Sequence, residues 1–73
     1  MKETLGRRVK RLRQQAGLSR PQLAELARLN PSHIGLIENG DRKNPKGDTL
    51  TKLAQALETS VDFLLTGEHG RAA

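Results

Sequence analysis

The residues best equipped for chemistry in this 73-residue sequence are its basic ones. Lys2, Arg7, Arg8, Lys10, Arg11, Arg13 and Arg20 crowd residues 1–20 against Glu3 alone, whereas residues 49–73 set Lys52 and Arg71 against Glu58, Asp62 and Glu68. A formal charge of +5 and a pI near 10.5 make a polyanion the first partner to consider. The asymmetry puts the positive field in the first part of the chain. Regularly spaced Arg and Lys also solvate a helix face, so charge alone does not decide the matter. Catalysis has little to work with: there is no cysteine, and the two histidines, His33 and His69, are far apart. His33 and Glu38 do not share a helix face, and no His–Glu spacing suggests a metal site. No enzyme, metal, cofactor or small-molecule substrate is expected.

The elements that must carry these side chains follow from length and composition. A chain this short holds one hydrophobic core. Phe63 is its only aromatic residue, so the core draws on Leu, Ile, Val and Ala, which favours packed helices over a β-sandwich. The fold class is all-α. Without cysteine no disulfide framework or oxidising compartment is implied, and the cytoplasm is the default. No apolar run approaches the roughly 20 residues of a membrane span, and no signal-peptide pattern follows the basic start.

Leu5, Val9, Leu12 and Ala16 form one buried stripe behind a Thr4 cap, predicting a first helix over 5–16 that Gly17 ends in the left-handed conformation, with Leu18 folding back. Ser19 and Gln22 make a capping box for a second, two-turn helix with Leu23, Ala24 and Ala27 inward. Asn30 and Pro31 start a third helix, 31–38, with Ile34 and Ile37 buried and Gly40 terminating it. Only Arg28 and Leu29 with the Asn30 cap join helices two and three. The stretch Asn39 to Asp48 reads as an exposed loop bearing Arg42, Lys43 and Lys46. Asp48 is the expected cap of a fourth helix with Leu50, Leu53, Ala54 and Leu57 inward. Ser60 caps a fifth, carrying Val61, Phe63, Leu64 and Leu65. Thr66 and Gly67 end it. The expected organisation is one domain, 1–66, and a disordered polar tail, 67–73.

Two short helices joined by so tight a turn form the unit that sets a helix in the DNA major groove. The segment Leu18 to Gly40, LSRPQLAELARLNPSHIGLIENG, closely resembles the helix-turn-helix of the Cro and phage-repressor (XRE) family. Thr49 to Leu65 resembles that family's closing two helices, and with LGRRVKRLRQQAGLS the resemblance covers about residues 5–66. It implies a five-helix, lambda-repressor-like domain that regulates transcription, usually as a repressor, by binding double-stranded DNA. Carried over position by position, Pro31, Ser32, His33 and Leu36 are the expected base readers. Pro31 has no donor, and Leu36 discriminates only through a thymine methyl or by exclusion, so shape and deformability are expected to carry part of the specificity. Arg20, Asn39, Arg42, Lys43 and Lys46 are the expected phosphate contacts; Ser32 can serve a phosphate instead of a base. Arg13 and Glu38 match an ion pair that braces helix one to helix three.

Three departures from the family pattern stand out. Arg28 occupies a turn position usually held by Gly, Gly35 weakens the reading helix unless it permits a close approach, and Gly47 replaces a commonly apolar residue, which suggests a looser loop. A homodimer is expected, because two reading helices over half-sites about 34 Å apart multiply a limited affinity. The resemblance puts its seam around Thr59 to Phe63 and the end of the loop. The alternative is a protein-interaction module of the same fold, an antitoxin or adaptor, using Leu36 and Ile34 as an apolar contact.

Overall fold

Cap chemistry cuts the chain into five helices. The computed structural model describes residues 3–68 and contains α1 (Leu5–Gln15), α2 (Arg20–Ala27), α3 (Pro31–Glu38), α4 (Gly47–Ala56) and α5 (Val61–Thr66), with no strand among the described residues. Thr4 Oγ1 accepts from the Arg7 amide at 3.2 Å to open α1. Gly17, at φ +73°, turns the chain out of it, and the Leu18 amide donates back to the Arg13 carbonyl at 3.0 Å. Ser19 and Gln22 cap α2 reciprocally at 2.8 and 3.2 Å. Asn30 Oδ1 accepts from the Ser32 amide at 2.8 Å, and Ser60 Oγ from that of Phe63 at 3.0 Å. Such caps contribute about 0.5–2 kcal/mol each.

One expected start is displaced. The fourth helix opens at Gly47 behind Lys46, which supplies no side-chain cap, and Asp48 lies inside its first turn with Oδ1 accepting from the Thr49 amide at 2.9 Å. An acid there still favours the helix through the dipole, so the residue type signals the start correctly but marks it late. Gly47 is exposed and opens the helix instead of loosening a loop.

Val9, Leu23, Ile34, Ile37, Leu53 and Leu64 are fully buried, each stabilising the fold by about 1.5–3 kcal/mol. Leu5, Leu12, Leu18, Leu29, Leu57 and Val61 close around them. The third helix packs on both α1 and α2, α4 packs on α2 and α5, and α5 returns to α1. At the α1/α3 seam backbone lies on backbone: a Cβ on Gly6 would overlap the Ile37 carbonyl oxygen and come within 2.9 Å of the Glu38 carbonyl oxygen.

Arg8 departs from the reading of the early arginines as a solvated or partner-facing stripe. It is buried, with Nη1 donating to the Leu64 carbonyl at 2.7 Å and Nη2 to the Glu3 carbonyl at 2.8 Å. The end of α5 leaves carbonyls without helical partners and carries partial negative charge, which draws the guanidinium inward. Gly67 ends α5 at φ +78°, and the Glu68 amide donates to Thr66 Oγ1 at 3.1 Å. The rest of the expected tail, 69–73 with His69 and Arg71, lies outside the described residues, as do Met1 and Lys2. No helix among the described residues is long and apolar enough to cross a membrane.

Candidate nucleic-acid interface

The turn between α2 and α3 is closed by its own neighbours. Arg28 takes the left-handed conformation at φ 56°, where a side chain costs on the order of 1 kcal/mol. Hydrogen bonds from the Arg28 amide to Glu25 (3.2 Å) and from the Leu29 amide to Ala24 (2.8 Å) offset that strain, as does the partial burial of Leu29. The turn thus keeps its shape without glycine. It leaves α3 with Ile34 and Ile37 inward and Pro31, Ser32 and Leu36 exposed, His33 being half-buried.

Outside that face, His33 and Leu36 look across an open groove toward Arg42 and Lys46. The Arg42 amide donates to the Leu36 carbonyl at 3.1 Å, so the loop backbone is anchored to the helix whose face it flanks. Lys43 borders a second hollow, with Thr4, Arg7 and Asn39, and Arg42 edges both. His33, Leu36, Arg42 and Lys46 thus line one hollow, and Asn39, Arg42, Lys43 and an exposed Arg7 the other, while Arg20 reaches the Asn39 side chain and Pro31 and Ser32 are exposed at the start of α3. Ile34 lines neither: with no exposed surface it belongs to the core, which leaves Leu36, 38% exposed, as the only apolar residue of the suggested protein contact.

Behind this face lies one carboxylate shared by two arginines. The Glu38 side chain is completely buried. Arg13 grips it twice, Nε to Oε2 at 2.6 Å and Nη2 to Oε1 at 3.0 Å, and gives Nη1 to the Leu18 carbonyl at 2.8 Å. Arg20 reaches the same Oε1 with Nε at 3.0 Å and Asn39 Oδ1 with Nη2 at 3.3 Å. Burial pushes the Glu38 carboxyl up, but the hydrogen bonds and positive charges of Arg13 and Arg20 together outweigh it and hold the group below its ordinary value. Glu38 in turn raises Arg13 through their hydrogen bonds. The Arg20 guanidinium rests over Gly35, whose missing Cβ would lie 3.5 Å from Nη1. That contact gives Gly35 a neighbour within the protein.

Sequence reasoning placed Arg20 at this surface but not on Glu38, and counted Arg7 only as part of a general positive field. Nothing in the spacing of Arg20 and Glu38 signals their meeting, which depends on how α2 crosses α3. The α1 N-terminus approaches the end of α3 only because Gly6 lets it, and a lone glycine early in a helix pattern does not announce that.

A sequence profile described as a helix-turn-helix domain matches residues 4–64. The control protein C.SmaI of Serratia marcescens is 44% identical over 66 residues, which are 90% of this chain and 77% of that protein. The HTH-type transcriptional regulator SinR of Bacillus subtilis is 35% identical over 65 residues, 89% of this chain and 59% of its own length. The chain thus spans well under two thirds of that relative. Among solved structures, SinR in complex with DNA superposes with a TM-score of 0.81 at 34% identity, covering 84% of this chain and 97% of the other. The P22 c2 repressor in complex with a synthetic operator gives a TM-score of 0.85 at 25% identity, covering 92% and 100%.

Proposed function

The chain belongs to the helix-turn-helix domain family, and from that premise we propose that it binds double-stranded DNA sequence-specifically to regulate transcription, acting in the cytoplasm as a homodimer on a palindromic operator. The observation that carries the proposal is the outer face of α3, exposed at Pro31, Ser32 and Leu36, with Arg42 and Lys46 across the groove from it, Arg7 and Lys43 at the hollow by its end, and Arg20 on Asn39. A helix about 10–12 Å across fits a major groove about 12 Å wide. Cations on the rim then meet the phosphates on either side. Pro31, Ser32, His33 and Leu36 face the base edges. His33 is the strongest hydrogen-bonding reader among them, as donor or acceptor according to tautomer. Arg20, Asn39, Arg42, Lys43 and Lys46, with Arg7, hold the backbone, and the Arg13–Glu38 pair fixes the angle at which α3 is offered. The family likeness supports the same reading, since SinR and the P22 c2 repressor were both crystallised on DNA.

The test is selection of bound sites from random duplexes, then titration of the winner and a scrambled duplex at two salt concentrations. A palindromic winner bound about a thousandfold more tightly than the scramble is the expected result. Ser32→Ala or His33→Ala should change which sequence wins, whereas Lys43→Ala should weaken all sequences alike. Equal, strongly salt-dependent binding to both duplexes would remove the sequence-reading role and favour the protein-interaction reading through exposed Leu36.

A further inference from the structure

We infer that Glu38 is a positioning residue for DNA: it holds the Arg20 guanidinium in the orientation that grips a backbone phosphate. The inference rests on the DNA-binding reading and adds to it a residue buried too deeply to touch the duplex. Two arginines share one carboxylate, and Arg13 takes most of it, binding both Glu38 oxygens and spending Nη1 on Leu18. Arg20 receives a single edge of Oε1 and the neutral Asn39 amide oxygen. The cluster keeps a net positive charge, and that charge sits on the more exposed partner, whose side chain is 39% accessible against 11% for Arg13.

Geometry points the same way. A guanidinium carries five N–H donors, and Glu38 and Asn39 take two of Arg20's. Of the three that remain, one on Nη1 and one on Nη2 form the outer fork, the edge suited to bidentate pairing with a phosphate. Arg11 shows the contrast: it spends Nε and Nη2 on the two oxygens of Glu3, at 2.7 and 3.0 Å, and keeps both although Arg8 Nε lies 3.3 Å from Oε1. Arg20 lacks that second oxygen because Arg13 already occupies it. Asn39, expected at the backbone, stands beside the free fork. Fixing the fork in advance removes rotamer entropy that a free arginine would lose on binding.

The experiment uses the full chain and its selected duplex, with affinity measured by fluorescence anisotropy across a salt series for wild type, Arg20→Gln, Arg20→Lys, Glu38→Gln and the Arg20→Gln/Glu38→Gln double variant. Circular dichroism checks that each is folded at the assay temperature. Arg20→Gln should weaken binding roughly tenfold or more and lower the salt slope by about 0.9, the value for one phosphate. Arg20→Lys should recover the slope but not the affinity. The decisive sign is that of Glu38→Gln, which adds positive charge yet should weaken binding, with no further loss in the Arg20→Gln background. Tighter binding by folded Glu38→Gln would overturn the positioning role. An unchanged salt slope in Arg20→Gln, which leaves the Arg13–Glu38 pair in place, would overturn it without any Glu38 variant. Failure of the wild type to prefer any duplex would instead refute the DNA reading beneath it.

Discussion

Two clusters on α1 are built from the same parts and differ in one. Arg8 and Arg13 are both largely buried, each donates to a main-chain carbonyl, and each shares a glutamate with a second, more exposed arginine. The Arg8 cluster ties α1 to the end of α5, and the Arg13 cluster ties α1 to α3. The difference lies in the acid: the Glu3 side chain is 30% exposed, whereas that of Glu38 has no exposed surface. Water screens the first and can replace its partners. Nothing replaces those of the second. The depth of the carboxylate, more than the number of arginines, should therefore decide how strongly each cluster fixes its helices.

The largest effect should come from Glu38→Ala, which strands a buried Arg13 and should lower stability by about 3–5 kcal/mol in thermal or denaturant unfolding. Acid titration sharpens this. Because the folded carboxyl lies below its ordinary value of 4.5, the folded chain binds fewer protons than the unfolded one near that pH, so stability rises with pH there. The contribution is complete above the unfolded value and is lost as pH falls through the lower, folded one. Glu38→Gln should lack this share of the acid sensitivity. An intermediate loss, about 1–3 kcal/mol or more, is expected for Gly6→Ala, which forces apart the seam over which the deeper cluster closes. Glu3→Ala should be least damaging, at less than about one fifth of the Glu38→Ala loss, since Arg8 keeps the Leu64 and Glu3 carbonyls. Equal destabilisation by the two glutamate variants would break the comparison.

How much of this was legible follows from the range of each interaction. Caps at Thr4, Ser19, Asn30 and Ser60 act within three residues and could be read directly, as could the inward faces of the helices. The helix-turn-helix unit follows from two short helices and a tight turn together with the resemblance, whereas the Arg13–Glu38 match rests on resemblance alone, because the partners lie 25 residues apart. What stayed hidden was long-range and specific to this chain. Arg8 reaches a carbonyl 56 residues away, and its helical spacing is that of any solvated arginine. Arg20 meets Glu38 only once α2 has crossed α3. The Asp48 start was misjudged for a local reason: Lys46 opens the helix with its backbone alone, which leaves no side-chain mark.

The brevity of α3 bears on how a binding site can be specified at all. From Pro31 to Leu36 the reading face rises about 7.5 Å at ~1.5 Å per residue, enough to reach across about three base pairs stacked ~3.4 Å apart. Three fixed letters recur by chance about once in 64 positions, and six about once in 4,000, against the roughly million or more competing sites of a genome. An address of useful length has to be written across two half-sites, the distance between them, and the bendability of the duplex that separates them.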